Sequence, residues 1–222
     1  MTGSGPAVSY RLPRTVTVLT NADREQRTRI ANLDVDAAFV RIAAPSLTED
    51  VYLKATLLNT SDYQLLPGRA AVFLDGDFIG PTALPSTAPG AEFDLHFGVD
   101  RALRARRQLL RKEEGSAGFF GGSVRVAYDY RIELDNPGNA PVAVELWDRI
   151  PVSRDERIKI VLDGPSAPLA TDAEYVNEER PQGLLKWIVQ VPAGATGRNA
   201  FAITYGLRIE HPKDLDITAL PE

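Results

Sequence analysis

The chain has 222 residues, 44% of them hydrophobic and 25% charged, with a formal net charge of −5 and no cysteine. That length supports one large or two small domains with real cores, and the acidic balance argues against wholesale nucleic-acid binding, which wants a basic face. Without cysteine there are no disulfides and no thiolate metal sites. No run of ~18 apolar residues is present to cross a membrane as a helix.

The opening MTGSGPAVSYRLP lacks the basic-then-apolar pattern of a secretion signal. Val16 and Val18 alternate with Thr15 and Thr17, which predicts a short strand. Residues 28–33 and 37–44 predict two more, ended by Pro45 and Ser46. Val51, Leu53, Ala55 and Leu57 then share one face of a strand, with Tyr52, Lys54 and Thr56 on the other. Asn59 to Asp62 break that strand with turn residues. Residues 70–74 form the next strand, and Asp75-Gly76 marks a tight hairpin, because glycine tolerates the positive φ such a turn demands. Three prolines and two glycines make residues 79–90 read as mostly loop. Residues 92–99 alternate cleanly as a strand.

Residues 101–114 are ambiguous. Ala102, Ala105 and Leu109 fit a helical stripe, whereas the neighbouring segments are all strands. Residues 115–122, GSAGFFGG, hold four glycines and predict a division of the chain. Beyond it Val124, Val126, Tyr128, Tyr130, Ile132 and Leu134 line one face of a long strand, and residues 136–139 turn it back. Strands follow around Val142–Leu146, Ile158–Leu162, Leu185–Val191 and Phe201–Ile209, with a polar loop over residues 163–182. No internal repeat of fixed period is visible. Many short strands with frequent turn signals predict an all-β sandwich or barrel.

The ordered stretches VYLKATLLNTSDYQLLPGRAAVFLDGDFIG, APGAEFDLHFGVD, ELWDRIPVSRDERIKI, GLLKWIVQVPAG and ITYGLRIEHP carry a resemblance. Over about Tyr10 to Pro212 the chain resembles the C-terminal domain of the mucoidy-inhibitor-A-like bacterial proteins, a domain family of unknown function. The resemblance implies an N-terminal partner domain and a coiled-coil middle in full-length members, and a place in the bacterial envelope. It supplies no catalytic residues. It also implies that residues 101–112 continue as an extended strand, which decides that segment in favour of strand.

Chemistry-bearing residues are sparse. Asp75 and Asp77 around Gly76 form either a carboxylate pair or ordinary hairpin chemistry, and the second is favoured because Asp-Gly is what the turn wants. His96 and His211 stand alone, with no metal-ligand spacing. Ser153 follows no nucleophile elbow. The basic run of Arg101, Arg104, Arg106, Arg107, Arg111 and Lys112 is either a patch for an acidic partner or a charged strand edge that resists edge pairing. Phe119 and Phe120 either anchor a partner or tuck into the protein. Arg149, Arg154, Asp155, Glu156 and Arg157 predict a salt-bridged corner, with a recognition surface as the alternative, and Trp147 and Trp187 predict packing.

The expectation is therefore two β-sandwich-like subdomains, residues 1–115 and 123–222, joined by residues 116–122, the second immunoglobulin-like. The expected function is a non-catalytic protein-interaction or self-association module of a bacterial envelope protein. The weak candidate surface is Arg104, Arg106, Arg107, Arg111, Lys112, Phe119 and Phe120. No catalytic residue, metal or cofactor is expected, and neither is nucleic acid or a membrane span. The alternatives are a polysaccharide-binding module and, behind it, a hydrolase using Asp75, Asp77 and Asp100.

Overall fold

A computed structural model describes residues 10, 12, 15–17, 27–74, 76–117, 122–215 and 217. The fold is all-β. Ten strands run in chain order: β1 (Ala37–Ala43), β2 (Asp50–Leu58), β3 (Gly68–Leu74), β4 (Asp77–Leu84), β5 (Glu92–Ala117), β6 (Ser123–Asp135), β7 (Val142–Arg149), β8 (Lys159–Asp163), β9 (Leu184–Val191) and β10 (Phe201–Pro212). The chain forms two compact units, one of residues 1–39 and 54–97, the other of residues 40–53 and 98–222.

The second unit takes residues from eight strands ordered β8-β10-β6-β5-β2-β1-β7-β9. β10 lies near one end of that order and β7 and β9 at the other. Yet Trp187 of β9 packs 5.8 Å from Tyr205 of β10, centroid to centroid, and the Tyr205 hydroxyl reaches β7. The sheet therefore curls over until its two ends face each other, and the core fills the space between. That core holds Tyr128, Tyr130, Ile132, Leu146, Leu185, Trp187 and Tyr205. The period-two alternation of β6 places every second residue, from Val126 to Leu134, inside. β1 pairs in parallel with β7, Ala43 opposite Leu146.

The first unit carries a separate antiparallel pair, β3 with β4. The Phe73 and Phe78 rings meet across it at 5.4 Å, both well exposed.

Several expectations need correction. Residues 28–33 form no strand; they are exposed throughout and pair with nothing in a sheet. Residues 15–17 also lack regular structure, and Val18 lies outside the described residues. Of residues 79–90, expected as mostly loop, residues 79–84 belong to β4, where Pro81 opposite Ala71 is tolerated because β4 has β3 alone as a partner among the described residues. Residues 101–114 are strand, as the resemblance implied, in one element that continues to Ala117. Residues 116–122 join β5 and β6, two strands that pair with each other from Arg104–Asp135 to Ala117–Ser123. The polar stretch before β9 holds a π-helical turn, Tyr175–Glu179, and a 3-10 turn, Arg180–Gln182.

Two asparagines, read as turn residues, are in fact wholly enclosed. Asn59 closes β2 and is 0% exposed. Its Nδ2 donates to the carbonyls of Tyr63, Thr87 and Ala88, and its Oδ1 accepts the Ser61 N–H. Asn136 closes β6 and is 2% exposed. Its Nδ2 donates to the carbonyls of Ala140, Val191 and Pro192, and its Oδ1 accepts the Gly138 N–H. Each side chain ties a turn to a distant loop by bonding three carbonyls at once, with the bonds to Thr87 and Val191 buried. Asn136→Ala removes the three donated bonds and the accepted one, and a loss of about 2–4 kcal/mol is expected, at ~1 kcal/mol per hydrogen bond. Urea unfolding with an unchanged slope checks it.

Candidate functional site

Taken as a strand, the basic run divides by parity. Leu103, Ala105, Arg107 and Leu109 point to one face, and Leu103 and Ala105 are buried there. Arg107 is thus an arginine written into an apolar face. A guanidinium in that position needs a carboxylate. β7 supplies it by the same logic: Val144, Leu146 and Asp148 alternate inward, and Asp148 is 2% exposed.

Arg107 Nε donates to Asp148 Oδ2 at 2.9 Å. The Tyr205 hydroxyl donates to the same oxygen at 2.6 Å. Asp148 Oδ1 accepts the Arg149 N–H at 2.7 Å. The Arg107 guanidinium stacks 3.7 Å from the centre of the Tyr130 ring, a favourable cation–π contact in a desolvated place. Tyr130 stacks on Tyr205 at 5.3 Å. Its own hydroxyl is buried without a hydrogen-bond partner among the described residues.

Burial opposes the charge on Arg107, but Asp148 and then Tyr205 outweigh it and hold the guanidinium above its ordinary value. Burial, then the Asp148 charge, pushes the Tyr205 phenol well up. Burial likewise raises Tyr130.

Above this group opens a pocket of about 510 Å³. Arg107, Tyr130 and Asp148 form its floor, and Leu47, Pro151 and Val152 stand at its walls. Leu47 lies between β1 and β2 and is 85% exposed; Val152 follows β7 and is 57% exposed. The wall after β7 is set by Gly183. Its carbonyl accepts the Ile150 N–H at 2.8 Å. At φ +83°, a Cβ there would lie 2.3 Å from the Ile150 carbonyl oxygen, so glycine is required. Beyond the wall Arg157 grips Asp155 through Nε and Nη2, one ion pair of the expected corner, in which Arg149 pairs with no described residue. The Arg157 bonds hold the Asp155 carboxyl down at about 2.

Of the candidate surface, Arg107 alone floors this pocket. Arg104 pairs with Asp50, Arg106 with Asp135, and Arg111 with Asp129 and Glu113. Lys112 lies 5.7 Å from the Tyr128 ring centre. Phe119 and Phe120 lie outside the described residues, as does Asp75. Asp77 is exposed at the start of β4. Asp100 is bound by Arg41 at 2.9 Å and by the Ala102 N–H. Trp187 is fully buried, and the Trp147 ring is held by Tyr175 and Lys186. No group of residues able to hold a metal ion occurs among the described residues. Asp148 and Tyr205 escaped the sequence reading. The available signal was a charged residue in phase with the apolar face in each of two strands.

Fold and site define an all-β domain whose curled sheet encloses a paired arginine and carboxylate beneath an open pocket. The chain belongs to the DUF4139 family, a domain of unknown function, matched over residues 2–213. It is similar to Protein F37C4.5 of Caenorhabditis elegans, 26% identical over 214 residues that cover 95% of this chain and 38% of that protein. The chain therefore spans well under half the length of this curated relative. No solved structure matches it.

Two outcomes are expected. Asp148→Ala leaves Arg107 buried and unpaired and costs about 3–5 kcal/mol, whereas the triple replacement Arg107→Met, Asp148→Leu, Tyr205→Phe costs less than about 1 kcal/mol or stabilises; chemical unfolding of both variants checks this. The folded state holds the Tyr205 proton more tightly than the unfolded chain does, whose phenol keeps the ordinary value of 10.0. The stabilisation from that proton is full below pH 10 and is lost as pH rises further. An ultraviolet titration of the phenols should show Tyr205 ionising together with alkaline unfolding, and Tyr205→Phe should remove that delayed step.

Proposed function

We propose that the chain is a non-catalytic protein-interaction module that docks a partner, or a second copy, at the mouth of the pocket in the second unit. The observation that carries this reading is the exposure of Leu47 and Val152 at the entrance of a preformed cavity. Large side chains kept in water beside a concave apolar wall mark interaction sites. The polar groups on the floor support binding over turnover: Asp148 is spent on Arg107, Tyr205 and a backbone N–H, and the one lining serine, Ser46, has no histidine beside it in the lining.

The polysaccharide alternative wants an exposed flat aromatic; neither tryptophan offers one, and the exposed Phe73 and Phe78, on the β3–β4 hairpin, are its best support. Membership of the mucoidy-inhibitor-A-like proteins and a place in the bacterial envelope remain part of the proposal. The nematode relative is an animal protein, and the docking reading rests on the pocket whether or not the envelope placement holds.

A photo-reactive benzoylphenylalanine at position 47 of the full-length protein tests the reading in its native host. The expected result is a discrete adduct, with a protein or with a second copy. Leu47→Asp should weaken the same association in pull-down, and the same probe at Ile188 on β9, 60% exposed, should yield no such adduct. A probe at 47 that captures nothing beyond the Ile188 control overturns the proposal.

A further inference from the structure

The two asparagine-closed turns are the same device built twice. Asn59 and Asn136 each bond the carbonyl four residues on and accept the N–H two residues on. Each reaches two successive carbonyls of a far loop, Thr87 and Ala88 in one, Val191 and Pro192 in the other. The backbone N–H of each bonds an alanine carbonyl, Ala91 or Ala195. Each alanine follows a left-handed glycine, Gly90 at φ 74° and Gly194 at φ 69°. The pairings beyond agree as well: Leu65 faces Thr87 where Val142 faces Val191. The antiparallel ladders β3–β4 and β7–β9 continue from those pairs.

This equivalence allows the two copies to be compared residue by residue. Following both ladders, Asp148 opposite Leu185 corresponds to Ala71 opposite Pro81. Counting back from each asparagine, Tyr130 corresponds to Leu53. The first copy thus closes its asparagine turn and its hairpin with an exposed alanine and a buried leucine where the second has a buried aspartate and tyrosine. The asparagine turn and its ladder therefore form without a charge at this place. Buried ion pairs are also poor sources of net stability compared with apolar replacements. Net stability thus does not account for Asp148 and the Arg107 it holds, and both of them floor the pocket.

Arg107 has donors to spare. A guanidinium offers five N–H groups; Nε serves Asp148 and Nη2 makes a long 3.4 Å bond to Tyr205. The others have no hydrogen-bond partner among the described residues. Asp148 fixes the plane of the guanidinium and leaves that edge for a ligand. Arg149 also lines the pocket, is exposed, and forms no ion pair with a described residue. Two arginines against one carboxylate leave the pocket one positive charge in excess, within walls of Leu47, Ile150, Pro151 and Val152.

We infer that the pocket of the second copy takes an acidic side chain flanked by apolar residues on a partner peptide, held by Arg107 and Arg149. This rests on the interaction reading above and gives its partner a chemistry. The carboxylate meets pre-aimed donors in a partly dry site, where such bonds are strong, and the flanking apolar groups cover Leu47 and Val152.

Calorimetric titration of the whole chain with acetyl-Leu-X-Phe-amide tests it, with X as Glu or Asp against Gln or Asn. The acidic peptides should bind about tenfold or more tightly than their neutral isosteres, as expected for bonds to a charged group, and added salt should narrow the gap. Arg149→Ala should reduce acidic binding several-fold without changing the neutral peptides. The triple variant Arg107→Met, Asp148→Leu, Tyr205→Phe should abolish the preference, with its fold verified by circular dichroism. Phenylbutyrate serves as the free-acid arm; binding of it with no acidic-peptide preference overturns the peptide assignment. Equal binding of acidic and neutral peptides overturns the inference and leaves docking at Leu47 intact. If no peptide binds while position 47 still crosslinks, the inference fails alone. If neither occurs, both readings fall.

Discussion

The pairing of Arg107 with Asp148 is the constraint around which the larger unit is arranged. It joins β5 to β7, which stand apart in the strand order. A buried guanidinium cannot be left alone, so the two parts of the curled sheet must approach until Nε and Oδ2 meet at 2.9 Å. Tyr205 then satisfies the same carboxylate oxygen from β10, and Tyr130 from β6 supplies a ring beneath the cation. Four strands are registered against one another by one charge. The apolar core supplies most of the driving force, since Trp187, Leu185, Ile132 and Leu146 are almost wholly buried. Hydrophobic burial has little directionality, and the ion pair contributes the geometry that the burial lacks.

The two asparagines solve a different problem. Each turn is tied to a loop remote along the chain. Asn59 and Asn136 each bond three carbonyls with one amide nitrogen, and in each the bond to Thr87 or Val191 is buried. Both positions look like ordinary turn residues in the sequence, because an asparagine that caps a surface turn and one that holds a remote loop are the same letter.

Much of the fold was legible. The alternation of Val126 to Leu134 in β6 and of Leu185 to Val191 in β9 announces half-buried strands directly, because side chains in a pleated strand alternate whatever their neighbours. Residues 101–114 were not legible from periodicity: Ala102, Ala105 and Leu109 fit a helical stripe while Leu103, Ala105 and Leu109 share a strand face, and a bulge between Leu109 and Arg111 breaks the period further. The short alternation of residues 28–33 misled in the other direction, since a strand exists only where another strand accepts its hydrogen bonds. The acidic partners of Arg104, Arg106 and Arg111 lie on neighbouring strands, so a run that looks uniformly basic in one dimension is largely neutralised in three.

The sequence by itself determined the all-β class, the inward and outward faces of the long strands, and the tight turns that glycine permits, because all of these are local consequences of side-chain period and backbone sterics. Tertiary structure alone decided which strands would be neighbours and which of six basic residues would be turned inward over Tyr130. It also decided that Asp148 and Tyr205, remote from Arg107 along the chain, would share one oxygen atom with it. Those outcomes depend on pairings between distant segments, and the energies that select them arise only when the groups have left water together.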